Sequence, residues 1–129
     1  MSTLSDVDQQ QIVAVVRRAD ELATARDVAG YIALTTPDMV LDGTQGTASG
    51  RDEVRSAIQK IWAAEPAGTR HLTGDITVTS DGDGTATARS TLSLVIEGSD
   101  RARAVATITQ TLRSADGQWL IARRSVSGG

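Results

Sequence analysis

A single change of period divides this chain. Up to about residue 64 the apolar positions recur every three or four residues. From His71 onward they recur every second residue, in four runs separated by glycine-containing turns. Helices first and a long strand meander last leave few ways to bury both apolar faces. Packing the helices on one face of a curved sheet is the economical one. At 129 residues the chain is long enough for one hydrophobic core and too short for two, so residues 1–129 are read as one domain.

The first helix is predicted to start at Ser5 with Asp8 three residues on, a variant of the capping box. Ile12, Val15, Val16, Ala19, Leu22 and Ala23 then give one buried face, against Gln9, Arg17, Glu21 and Asp27. A break at Arg26-Asp27 and a second short helix over 28–34 follow, ended by Pro37, whose ring disfavours helical geometry in the preceding residue. Met39, Val40 and Leu41 form a short strand closed by Asp42. The glycine-rich stretch 43–50 reads as a connector. A third helix runs from Arg51 to Ala64, with Val54, Ala57, Ile58, Ile61 and Trp62 inward and Pro66 and Gly68 beyond its end.

In the strand run, Leu72, Gly74, Ile76 and Val78 alternate with His71, Thr73, Asp75 and Thr77, which places His71 on the polar face unless the strand bends. Asp81-Gly-Asp-Gly84, Gly98-Ser-Asp100 and Asp116-Gly117 are turns. The next strands share inner faces of Ala86, Ala88, Ser90, Leu92, Leu94 and Ile96, and of Ala102, Ala104, Ala106, Ile108, Gln110 and Leu112. Trp119 to Val126 is the last strand. The expected architecture is α+β, a cone-shaped curved antiparallel sheet packed on three helices from the N-terminal half. Alanines and Gly74 on the inner face leave a hollow there, because small side chains cannot fill it at normal packing density.

Composition narrows the function. A formal net charge of −3 supplies no electrostatic footprint for nucleic acid or an anionic membrane. Only Tyr31, Trp62 and Trp119 are aromatic, too few for a site built on ring stacking. With no cysteine and one histidine there is no thiolate site and no zinc or iron triad, so no metal or cofactor is expected. Asp81-Gly-Asp-Gly84 lacks the glutamate of a calcium loop. No apolar run reaches bilayer length, and Met1-Ser-Thr-Leu-Ser-Asp6 has no leader pattern, so a cytoplasmic location is expected.

The motifs Ala33-Leu-x-x-Pro-Asp38-x-Val-x-Asp42-Gly, Gly50-Arg-x-x-Val54, Arg70-His71-x-x-x-Asp75 and Asp116-Gly-x-Trp119-x-Ile, in this order of elements, resemble the SnoaL-like proteins. That family sits in the nuclear-transport-factor-two-like superfamily, with ketosteroid isomerase, scytalone dehydratase and limonene epoxide hydrolase as relatives. The resemblance runs from about Ile12 to Val126. It implies a cystatin-like roll, a small apolar organic ligand of polyketide or steroid type, and a homodimer formed through the outer sheet face. Asp42 aligns with the isomerase general base and His71 with a catalytic histidine of the dehydratase. The supporting donors do not carry over: the isomerase tyrosine falls near Arg18 or Ala19, its second oxyanion donor within residues 108–110, and the dehydratase aspartate and tyrosine near Ala23 and Thr24.

Each candidate has two readings. Asp42 is a pocket base or the acceptor of backbone donors in the Gly43 turn. His71 is an acid-base group or a strand-end histidine on a polar dimer face, and Asp75 is its surface partner or orients its ring. Gln110 is an inward amide that bonds a neighbouring main chain or a ligand. Tyr31 and Trp62 are core residues of which one is expected to line the cavity, Trp119 anchors the last strand, and Arg89 faces outward. These residues fit a cofactor-independent isomerase, cyclase, dehydratase or epoxide hydrolase. They also fit a non-catalytic ligand-binding or dimerisation module.

Overall fold

The computed structural model describes residues 4–44, 46–99 and 101–128. The readings that touch Met1, Ser2, Thr3, Gln45, Asp100 and Gly129 lie outside the described residues. Helix α1 (Asp6–Ala25) begins at the predicted capping box. The Ser5 hydroxyl accepts from the Asp8 amide at 3.0 Å, and the Asp8 carboxylate accepts from the Ser5 amide at 3.4 Å. It ends at Arg26, whose left-handed backbone (φ 59°) lets its amide reach the last carbonyls. Helix α2 (Val28–Ala33) and helix α3 (Arg51–Ala64) follow at the expected places.

The sheet has six strands: β1 (Thr35–Gly43), β2 (Gly46–Ser49), β3 (Thr69–Gly82), β4 (Thr85–Ile96), β5 (Ala102–Ala115) and β6 (Gln118–Gly128). Their spatial order is β2-β1-β6-β5-β4-β3. Three details differ from the reading above. The connector contains a strand, β2, hairpinned on β1, because Asp42 and Gly43 pair back onto Thr47 and Gly46. Strand β1 starts at Thr35 and carries Pro37 inside it. The proline sits between the Thr35–Ile121 and Val40–Arg123 pairs, where the register shifts and no ladder amide is required. The sheet is also mixed: β1 returns beside the last strand and runs parallel to β6, while the other pairs are antiparallel.

Two irregularities decide which side chains face inward. In β3 the pairing jumps from Gly74–Thr91 to Thr77–Arg89, and Asp75 takes φ 50°, so one extra residue is accommodated. Before this bulge His71 and Thr73 face inward. After it Ile76 and Val78 pack against the core. Leu72 is therefore outside, 39% exposed, and Gly74, paired with Thr91, is also on the outer face. In β6 the pairing moves from Leu112–Ile121 to Thr111–Arg123. That step turns Arg123 outward and Arg124 inward, where unbroken alternation from Trp119 and Ile121 would reverse them.

One end of the cone is solid. Ile12, Val16, Met39, Ala86, Leu112 and Ile121 are fully buried there in one cluster with Trp119. The indole of Trp119 also donates to the Asp8 carboxylate at 3.2 Å, tying the start of α1 to β6. Arg89 is exposed. Among the described residues, no helix is long and apolar enough to cross a membrane.

Candidate functional site

At the other end the inner sheet face carries Leu92, Leu94, Ala104 and Ala106, and α3 stands away from it. The hollow between them is an open-mouthed cavity of about 830 Å³, bounded also by Leu41, Trp62 and the β1–β2 hairpin. That volume lies within the range of small-molecule sites, which run to roughly 1,000 Å³. The inner sheet side of its wall is apolar, and α3 and the β1–β2 hairpin add Thr44, Thr47, Asp52, Glu53, Ser56 and Lys60. At one end Asp20, Tyr31, Glu65, His71 and Arg124 converge from five elements.

His71 is delivered by the first, unbulged stretch of β3. Its amide donates to the Thr24 hydroxyl at 2.8 Å, and Thr24 in turn donates to the Asp20 carbonyl at 3.1 Å. Thr73, next inward on β3, donates to the Asp20 carboxylate. The last turns of α1 are thus fastened to the start of β3 through Asp20, Thr24, His71 and Thr73, of which Asp20 and His71 line the cavity. The imidazole, 8% exposed, sets Nε2 at 2.9 Å from Glu65 Oε1. Glu65 follows the last turn of α3, in an extended conformation enforced by Pro66. Its Oε1 also meets the Arg26 guanidinium at 2.7 Å, and Arg26 is anchored by donating to the Ala23 carbonyl at 2.8 Å. The other ring nitrogen, Nδ1, is buried with no hydrogen-bond partner among the described residues.

An ionised Glu65 accepts only, so a neutral imidazole must donate from Nε2 and keep its lone pair on Nδ1. The Arg26–Glu65–His71 chain therefore fixes the ring of a cavity-lining residue and leaves Nδ1 without a partner among the described residues.

The second group is Asp20, Tyr31 and Arg124. Asp20 is 3% exposed and its Oδ1 lies 3.7 Å from Arg124 Nη2. The Tyr31 hydroxyl is close enough to both charges for its acidity to respond to each of them. Burial pushes the Tyr31 phenol above its ordinary pKa, with the Asp20 charge in the same direction, against the charge and hydrogen bond of Arg124. Tyr31 is thus a neutral donor at physiological pH. Its ring meets Trp62 edge to face, with centroids 5.8 Å apart and planes at 88°. Both rings line the cavity.

Asp42 does not line this cavity. Leu41 points inward, so strand alternation puts Asp42 on the opposite face of the sheet, paired with Ser125. There it accepts from Arg123 Nε at 2.8 Å, Ser125 at 3.0 Å and Thr47 at 3.1 Å. Burial works to raise its pKa, but these hydrogen bonds and the Arg123 charge outweigh it and hold the carboxyl below its ordinary value. Gln110 is inward and 1% exposed, across from Arg124 in the ladder, yet it does not line the cavity. Its amide nitrogen and oxygen have no partner among the described residues. Asp75 is exposed at the bulge, and the partner of His71 is Glu65.

Sequence reasoning missed Asp20, Glu65 and Arg124. A signal for Asp20 was present, because it falls four residues after Val16 and four before Thr24, inside the buried stripe of α1. Arg124 had none, since only the β6 register shift brings it inside. Among the described residues no group of three or more histidine, aspartate or glutamate side chains could hold a metal ion.

Six strands curled over three helices define an α+β roll of the cystatin-like, nuclear-transport-factor-two-like kind. The SnoaL-like domain model matches residues 7–125, and the chain belongs to that family. Among solved structures it is similar to a cystatin-like protein from Nostoc punctiforme PCC 73102, with 23% identity over 99% of this chain and 96% of that one and a TM-score of 0.91. A nuclear-transport-factor-two-like protein from Pseudomonas putida KT2440 matches at 18% identity over 96% and 88%, with a TM-score of 0.84. A candidate scytalone dehydratase from Novosphingobium aromaticivorans DSM 12444 matches at 19% identity over 95% and 85%, with a TM-score of 0.81. No protein of curated function matches the chain.

Proposed function

We propose that this protein holds a small, largely apolar organic molecule, polyketide- or steroid-like in size, and transfers protons on it without a cofactor. The observation that carries this reading is His71, a cavity-lining residue whose Nε2 is fixed by Glu65 and whose buried Nδ1 has no partner among the described residues. In the proposed step Nδ1 takes a proton from carbon next to a carbonyl. The C–H electron pair becomes the enolate double bond, and negative charge collects on oxygen. Neutral Tyr31 and cationic Arg124 are the donors available to that oxygen. Return of the proton to another carbon is isomerisation. Attack of the enolate on a second carbonyl is cyclisation, and expulsion of a β-hydroxyl, protonated as it leaves as water, is dehydration. The fold shared with a candidate scytalone dehydratase is compatible with the last of these. Asp42, on the far face of the sheet, has no part in this step.

The rival reading is a ligand carrier or dimerisation module without turnover. It is favoured by the pairing of the two carboxylates at the His71 end with arginine, Asp20 with Arg124 and Glu65 with Arg26, which offsets those charges with no ligand present. In either reading a second copy would pack on the outer sheet face, where Leu72 and Val105 are 39% and 48% exposed.

The chain has one histidine, so its imidazole gives one resolvable set of NMR signals. The bicyclic ketone 2-tetralone, which has acidic protons beside its carbonyl, is expected to bind and to shift the His71 ring signals with a saturating titration curve. A ketone that binds without moving those signals would take His71 out of the site.

A further inference from the structure

We infer that the molecule held in this cavity carries an acidic oxygen, a phenol, enol or carboxylate, and binds with that oxygen ionised against Arg124 and beside the Tyr31 hydroxyl. The inference rests on the reading of the cavity as a small-molecule site and adds the chemistry of the ligand's polar end.

The register shift in β6 separates two adjacent arginines. Arg123 goes outward to Asp42, and Arg124 goes inward to the cavity wall. A buried guanidinium is costly unless it is paired, and the pairing of Arg124 is loose. Asp20 Oδ1 lies at 3.7 Å, within ion-pair range but beyond hydrogen-bond length, and the other Asp20 oxygen accepts from Thr73. A guanidinium offers five N–H donors in a planar fork suited to paired oxygens. Asp20 and Arg124 both line the cavity, and Arg124 keeps 10% of its side chain accessible against 4% for Asp20, so the cation is the more accessible of the two to a ligand.

Tyr31 adds a second donor at the same place. Its raised pKa keeps it from competing as an anion. Glu65, at the end of α3, is already paired with Arg26 at 2.7 Å. The other charged residues of the lining, Asp52, Glu53 and Lys60, come from α3, and Lys60 is exposed at the mouth. Around Arg124 the inner lining is Leu41, Trp62, Leu92 and Ala106, which can solvate no charge, so an anion inside the cavity is accepted where Arg124 meets it.

The test uses the full chain and three ligands with one apolar body: 2-naphthoate, methyl 2-naphthoate and 2-naphthylmethylammonium, titrated by calorimetry. The naphthoate is expected to bind about tenfold or more tightly than the ester or the cation. Arg124→Gln should remove that preference while leaving ester affinity within about twofold. Lys60→Gln, an exposed lysine at the cavity mouth, should retain the preference. If Arg124→Gln does not fold, Asp20→Asn carries the test: removing the competing carboxylate should increase the naphthoate preference, and an unchanged or smaller preference overturns the inference. A naphthoate no tighter than the ester also overturns it and leaves the cavity reading standing. So does a preference that survives Arg124→Gln or vanishes in Lys60→Gln. If none of the three binds, the cavity reading itself fails.

Discussion

Glu65→Gln should slow the exchange of the acidic protons of 2-tetralone with heavy water at least about a hundredfold, with the fold intact. A carboxylate at 2.9 Å from Nε2 can only accept. Oε1 also faces Arg26, which can only donate, so a carboxamide in its place keeps its oxygen there and still accepts from Nε2–H. Being neutral, it no longer offsets the imidazolium charge that forms when Nδ1 takes a proton, so the base is weakened without any side chain leaving the site. The fold should survive because Gln is nearly isosteric and Arg26, which loses its counter-charge, is 33% exposed and can be solvated. A stability loss of about 1–2 kcal/mol is expected, the scale of one charge-assisted hydrogen bond. Unchanged exchange in Glu65→Gln would mean that the Arg26–Glu65–His71 chain is structural only. Deuterium incorporation followed by NMR reads the rate directly.

The second large effect is on stability and compares the two ends of the cone. Leu112→Ala should cost about 2–5 kcal/mol, because the side chain is fully buried at the solid end and its removal leaves a void. In a domain whose whole stability is about 5–15 kcal/mol, that is a large fraction. Leu94→Ala removes the same atoms from a half-buried position on the cavity wall. Space already lies beside it, so the expected loss is about 1 kcal/mol. Urea unfolding of the two variants measures both. Equal losses would mean that the interior near Leu94 is as tightly filled as the interior near Leu112.

The elements themselves were legible because each carried a local signal: the Ser5–Asp8 capping box, the apolar stripe of α1, the span 51–64 of α3, and the Asp116-Gly117 turn with φ of 51° and 79°. Strand β2 had no such signal. Four residues on a sheet edge show no alternation to read, and their pairing depends on where β1 lies. The facing of side chains was legible where position along a regular element determines direction, as for Tyr31 and Trp62, and was lost at irregularities. Extending a period of two through β3 puts His71 with Thr77, but one extra residue at Asp75 reverses the phase and brings the imidazole inside. The same kind of step in β6 brings Arg124 in and leaves Arg123 out. Asp42 lies outside the cavity lining for a different reason. It stands at the strand end where a base sits in related folds, but Leu41 beside it takes the inward position, and three partners hold the carboxylate on the outer face. A bulge costs one residue and leaves no compositional mark, so which of two neighbours faces a cavity is settled by the ladder and not by the alphabet.

The central claim is that the chemistry lies inside the cone, at His71, and not on the outer face, at Asp42. Exchange of 2-tetralone protons in heavy water, measured for the unaltered chain, for His71→Gln and for Asp42→Asn, puts it to the test. The account predicts exchange above the buffer rate for the unaltered chain, a fall of about a hundredfold or more in His71→Gln, and a rate within about twofold in Asp42→Asn. Loss of exchange in Asp42→Asn, with His71→Gln unaffected, would contradict it.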